Sequence, residues 1–583
     1  MTLISTLSTS NYLLDLTISR GVIAFQFIWL GVGVVLLCGR RINELWYTFF
    51  FLLPIIMLTK FIKGFSGGLS LLHPNLEILP RMRASVAFKA LADTAHLDAS
   101  IDPHLVYPQE FIIVYVLKLI TGGSIIDLYE IAMKSLSIAF WLILALLLFK
   151  LMNSLELQSR ITRCLLITLL TSILVTFQPG YSEEVSYAYP LEVSYAYPLL
   201  AIGVYILRKY GVSSLIESRS VVIIMLLSLG VILGSQRETF VLLTLSILLL
   251  FFNAFVRIVK PFMIYTVSTS IALSISVLTL VQLLYNAWLY SRAYLSYFQA
   301  LLQVIREVLR GKWEIARPPL HTLAQIENPV DRWMSYLGSI SLFTMLTVSS
   351  IIGLAILIHS LYGLLYLGRG GKSKVDINVV DLGMVVTFLA FGSIIAVQYI
   401  MNVLGLWNID FESTIPLLKV PLLYIPIIGA KVLPKLGLSN MVKPPFTNSR
   451  YIRFVEVTVI VFLLIVLIPS ALGLPLRTPV KTYSDVLNIK GDPVELTISA
   501  NNIYSFVLQH NLQEEFVLDP RFSGHYLYLP LRYVGLYVTT LNFYIKLDAE
   551  NSDAIILASG SFVAYLSSGK IYVYDGERII MPY

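Results

Sequence analysis

Residues 93–104 read D-T-A-H-L-D-A-S-I-D-P-H and gather Asp93, His96, Asp98, Asp102 and His104 just ahead of an apolar run. A carboxylate within hydrogen-bond reach of a hydroxyl can take its proton as a new bond forms, which is general-base chemistry. If the segment is helical, Asp93 and His96 share a face. Ionisable groups at a membrane edge are costly, so such a cluster asks for a reason. The plain alternative is a solvated loop with a few polar side chains. Two further features stand out. Glu183 and Glu184 form an acidic pair, either a second acidic motif or the solvated lip of a loop. Arg237 lies in S-Q-R-E-T (235–239) at the start of an apolar run, where a guanidinium can hold a phosphate bidentately or simply snorkel to mark a helix end.

The elements that must position these residues are membrane spans. Of the 583 residues, 57% are hydrophobic and 13% charged. Mean hydropathy is +0.78. Apolar runs at 21–38, 45–62, 128–149, 164–177, 197–207, 221–234, 240–256, 262–289, 336–367, 382–404, 415–430 and 454–472 give roughly twelve helices by the length needed to cross a bilayer. The run 197–207 is short, and its helix either begins earlier, near Tyr187, or sits partly in the membrane. The runs are continuous rather than alternating, which excludes a barrel. Pro421 and Pro426 interrupt one of them. The two cysteines, Cys38 and Cys164, imply neither a disulfide framework nor a cysteine metal site.

The net charge of +7 follows topology and does not suggest nucleic acid. Starting with Arg40 and Arg41 inside, each alternate loop is more basic than acidic, as the positive-inside rule requires. These inside loops carry Lys150, Arg160 and Arg163, then Arg208, Lys209 and Arg219, then Arg257 and Lys260. The longer loops at 63–127, 178–196 and 290–335 then lie outside, with the tail. In the last of these loops Tyr294, Phe298, Leu301, Leu302, Ile305 and Leu309 fall at the spacing of an amphipathic surface helix or lid, and Arg317, His321 and Arg332 either meet a carrier phosphate or anchor the loop. No Walker loop and no G-x-G-x-x-G on a strand-to-helix turn is present.

Two regions emerge: a membrane body over 1–472 and an extracytoplasmic tail over 473–583. In the tail the long apolar runs stop and alternation appears in EEFVLDP, HYLYLPLRYVGLYVTTLNFYIKL, DAIILASG and KIYVYDGERII, which reads as a small α/β domain. The octapeptide EVSYAYPL occurs twice in tandem, Glu184–Leu191 and Glu192–Leu199. It reads as a duplication that an outer loop tolerates, with tyrosine rings that could stack on a ligand.

An outer loop with D-x-x-H-x-D, then Tyr107-Pro108, a shallow helix ending in Thr121-Gly122, a full span, the acids Glu183 and Glu184, and S-Q-R-E-T at an outer edge follow one another. This order resembles the GT-C superfamily of polytopic glycosyltransferases, mainly over residues 80–260. The resemblance implies an all-α polytopic membrane fold with a small C-terminal α/β domain. It also implies sugar transfer from a polyprenyl-phosphate carrier to a glycan, lipid or protein acceptor at the extracytoplasmic face of the cell membrane. Asp93 then matches the family's catalytic or metal-binding acid, with His96 and Asp98 beside it. Arg237 would hold the donor phosphate; the cofactor stays open, a divalent metal such as Mg or Mn being the candidate. An extra span precedes the first catalytic loop, and the Trp-Trp-Asp motif of oligosaccharyltransferases is absent, which points to a monosaccharide transferase. Two rivals stand beside this reading. One is a transporter or flippase of a lipid-linked or amphipathic substrate, which should show polar or broken spans near the midplane. The other is a non-catalytic assembly subunit.

Overall fold

The computed structural model describes residues 28–61, 107–123, 128, 135–153, 160–176, 195–211, 218–259, 267–289, 346–358, 360, 378–403 and 416–432, and the backbone of six strands between 515 and 582. The described body is helical. Its elements are α1 (Ile28–Cys38), α2 (Glu44–Tyr47, a π-wound stretch Thr48–Leu52, then Leu53–Phe61), α3 (Gln109–Thr121), α4 (Ser137–Asn153), α5 (Arg160–Thr176) and α6 (Tyr197–Tyr210). There follow α7 (Ser218–Gly234), α8 (Gln236–Val259), α9 (Thr269–Leu289), α10 (Leu346–Ile358), α11 (Val379–Val403) and α12 (Pro416–Val432).

Three of these helices are long and apolar enough to cross a membrane, over Gln236–Val256, Thr269–Trp288 and Val379–Val397. Their outward faces agree. On α9, Leu280, Val281, Leu284 and Trp288 are exposed, and on α11 Ile394 and Val397. An apolar surface of this kind is what lipid requires and water penalises. Hydroxyls inside the helices are satisfied internally. Ser228 donates to the Ile224 carbonyl, Thr279 to Ile275 and Thr387 to Gly383, each one turn back. Each apolar run of the sequence overlaps a described helix except 454–472, which lies outside the described residues.

The helix α6 shows why a short run can be a helix. Its fourteen residues start with Pro198 in the first turn, where the missing N–H does no harm, and end with Arg208 and Lys209 against the helix C-terminus. It is buried almost throughout, packing on α4, α7, α11 and α12. The second EVSYAYPL copy enters this helix. Tyr195, Ala196 and Tyr197 are buried, with the Tyr195 ring edge-on to Phe140 at 5.8 Å. These two tyrosines are therefore core residues rather than loop platforms; Tyr187 and Tyr189 of the first copy lie outside the described residues.

At the centre sits α12, packed against α5, α6, α8 and α11. Residues Leu418 to Gly429 are buried on every side, Pro421 and Pro426 included. At Gly429 an added Cβ would lie 2.5 Å from the Ile352 side chain, so glycine lets α10 approach closely.

Hydrogen bonds sort the helix ends into two groups. Ser276 donates to Ser246 and Asn253 to the Val267 carbonyl, which fixes α8 and α9 antiparallel. Near that lower end Ser268 N donates to Gly211 O, Asn378 to Arg208 O, and Arg208 forks onto Asp381. Phe140 meets Tyr195 near the starts of α4 and α6, and Asn153 at the other end of α4 lines one cleft with Arg40, Arg41 and Arg163. The far ends, at Gln236 and Asn286, lie about 25 Å away along α8 at 1.5 Å per residue. The ends of α6, α9 and α11, which charge alternation assigns to one side, thus meet.

In the tail, β1 (Glu515–Leu518), β2 (Val538–Thr540), β3 (Ala554–Ile556), β4 (Val563–Ser567), β5 (Lys570–Tyr574) and β6 (Ile579–Pro582) form a sheet of order β2-β1-β3-β4-β5-β6. Strand β1 is parallel to β2 and β3, and β3 to β6 form an antiparallel meander.

Candidate functional site

At the end remote from the arginines, helices α7 and α8 are joined by one residue, Ser235. Its N–H still donates to Val231 O, so α7 runs into the junction, and its carbonyl accepts from Thr239 N and from Thr239 Oγ1 at 2.6 Å. The spacing S-x-x-E is that of a capping box. Because the Ser235 N–H is already used, the Glu238 carboxylate accepts from the Ser235 hydroxyl instead. Glu238 is almost wholly buried, and its place in the first turn of α8 sets its charge against the positive end of the helix dipole. Arg237 is half-buried in the same turn.

The chain arriving from the 93–104 segment docks here. Tyr107 pairs its hydroxyl with the Asn286 amide of α9, and Gln282 donates to Asn286 Oδ1 at 3.5 Å. Asn286 is buried. Two residues after Tyr107, Gln109 opens α3 and lays its side chain on α7. A Cβ added at Gly234 would lie 2.1 Å from Gln109 Oε1, so only glycine admits this amide. Gln109 Oε1 is buried and accepts no hydrogen bond. Tyr107, Gln109, Ser235, Glu238, Gln282 and Asn286 therefore line the far ends of α3, α7, α8 and α9, with Arg237 on the same turn as Glu238.

Of the residues proposed from sequence, Arg237 falls in this cluster. Asp93, His96, Asp98, Glu183 and Glu184 lie outside the described residues. Among the described residues no group of three or more His, Cys, Asp or Glu could hold a metal ion, and Glu238 is engaged by Ser235. Gln109, Gln282 and Asn286 were not singled out from sequence. A signal exists for the last two: polar residues four apart in an otherwise apolar span share a face and are expensive in lipid without partners.

A buried ion pair and a buried lysine lie elsewhere in the bundle. Arg208 Nε and Nη2 donate to the two Asp381 carboxylate oxygens at 2.6 and 3.1 Å. Lys419, fully buried on α12, sets its ammonium 4.5 Å from the Tyr197 ring centroid. Comparison with known proteins gives no matching family model and no matching curated protein.

Proposed function

We propose that this chain is a multi-pass membrane glycosyltransferase of about twelve spans, with its C-terminal α/β domain outside the cell membrane. It moves a sugar from a polyprenyl-phosphate donor to a glycan, lipid or protein acceptor at the extracytoplasmic face. The observation that carries this reading is convergence. The segment leaving the Asp93–His96–Asp98 cluster and the S-Q-R-E-T edge, far apart in sequence, dock together at the end opposite the basic loops. That end is the outer one by the positive-inside rule. The reaction breaks the bond from the anomeric carbon to the carrier phosphate and forms one to the acceptor oxygen. Asp93 takes the acceptor's proton, His96 and Asp98 orient it, and Arg237 holds the departing phosphate. Glu183 and Glu184 supply a second acidic loop. The test is transfer of labelled sugar from a polyprenyl-phosphate pool in membranes by Arg237→Lys, which should weaken donor binding because an ammonium cannot make the bidentate contact. Unchanged donor dependence overturns this role for Arg237.

One observation favours a second reading. The central helix α12 stays continuous through Pro421 and Pro426 and buries Lys419, and buried charge on a proline-bearing span is a feature of transporter sites. Lys419→Met separates the two. Transfer that survives this change assigns Lys419 a structural role, and loss of substrate flux across vesicles without any transfer chemistry assigns transport.

A further inference from the structure

The basic end carries a second, distinct site. The turn from α1 into α2 and the facing ends of α4 and α5 enclose an open cleft of about 730 Å³, lined by Arg40, Arg41, Asn43, Trp46, Asn153 and Arg163. Three guanidiniums and two amides face it, against the single carboxylate of Glu44. Glu44 accepts from Arg163 Nη2 at 3.1 Å, which leaves Arg163 Nε buried and without a hydrogen-bond partner. Among the described residues Glu44 is the one carboxylate lining the cleft, so two of the three guanidinium charges are left without an acidic partner there, beside the buried Nε of Arg163.

The backbone is strained to present them. Arg41 N donates to Leu36 O and Arg40 N to Leu37 O, the paired bonds that close a helix with a left-handed residue. That residue is Arg40, at φ 56°, the only non-glycine residue with positive φ among those described. Glycine takes this position without penalty, whereas a side chain there is strained.

The cleft's rim is apolar. Trp46 is about half exposed and stacks on Phe50 at 4.9 Å, with Leu45 and Phe49 also exposed. Tryptophan on a lipid-facing surface beside arginines is the pattern of a membrane interface. A free anion would use only the arginines. A lipid uses both parts: phosphate on the guanidiniums and acyl chain along Trp46 and Phe50.

We infer that this cleft binds the headgroup phosphate of an anionic phospholipid in the leaflet facing the basic loops. The occupant is a structural or regulatory lipid, separate from the sugar donor at the opposite end.

The test uses the full-length protein in nanodiscs of phosphatidylcholine doped with phosphatidylglycerol, read by native mass spectrometry and by quenching of Trp46 with brominated phosphatidylglycerol. Trp46→Phe identifies its share of the signal. Arg40→Gly removes one charge while relieving the left-handed strain, so the fold is kept. It should weaken retention of phosphatidylglycerol about fivefold, the worth of one arginine near an anionic surface. The double variant Arg40→Gly/Arg41→Gln should weaken it about twenty-five-fold if the two act independently. Phosphatidylcholine should not be retained, and millimolar inorganic phosphate should not displace the bound lipid. Equal retention by wild type and the double variant overturns the site. Displacement by inorganic phosphate alone overturns the lipid assignment in favour of a soluble anion.

Discussion

The Arg208–Asp381 pair joins α6 to α11 inside the bundle, and its removal makes a quantitative prediction. Asp381 is almost wholly buried and accepts two hydrogen bonds from a guanidinium that is itself 17% exposed. Asp381→Asn keeps the shape but leaves the Arg208 charge without its counterion and turns an amide N–H₂ toward the guanidinium. Breaking one side of a buried pair costs about 3–5 kcal/mol. Replacing both partners with apolar residues of similar volume, Arg208→Met with Asp381→Leu, removes the charge and its desolvation together and should cost less than about 1 kcal/mol. The bond from Asn378 to Arg208 O survives every variant, because it uses the backbone. The assay is equilibrium unfolding of the purified protein in mixed micelles, with all four corners of the double-mutant cycle compared. A single variant as stable as wild type, or a double variant as unstable as the single, refutes the claim that this pair is buried and coupled.

Gly234→Ala should destabilise the protein by about 1–3 kcal/mol, because the new methyl overlaps Gln109 Oε1, and Gln109→Ala in the same chain should restore most of that loss on thermal unfolding. Tyr107→Phe leaves the buried Asn286 amide without one partner and should cost about 1–3 kcal/mol by the same measurement. A reporter fused after Tyr583 should be active only outside the cytoplasm, since the basic loops gather at one end; activity only inside reverses the topology.

The helical body was legible because continuous apolar runs mark helices, and three of the helices are long and apolar enough to cross a membrane. The bonds from Ser268 to Gly211 and from Asn378 to Arg208 join helix ends that charge alternation groups on one side. What the sequence hid are contacts across long separations. Tyr107 and Asn286 are 179 residues apart, and Arg208 and Asp381 are 173 apart, so no local period reveals either pair. Asp381 stands just outside the apolar run 382–404, so hydropathy alone does not mark it as buried. The tyrosines of the second EVSYAYPL copy misled for a different reason. Their amphipathic rings suit a loop as well as a core, and burial by Phe140 and Lys419 decides between them. In the tail, β5 and β6 coincide with the alternating KIYVYDGERII, whereas β4 (Val563–Ser567) fell in a stretch not read as a strand.

The most direct measurement is sugar transfer by Asp93→Asn in native membranes. The change keeps size and removes only charge and proton-accepting capacity. If Asp93 is the general base, the rate should fall about 10²–10⁴-fold while expression, insertion and the unfolding transition stay at wild-type values, with smaller losses for His96→Ala and Asp98→Asn. Undiminished transfer by Asp93→Asn contradicts the catalytic assignment and removes the main ground for preferring an enzyme over a transporter.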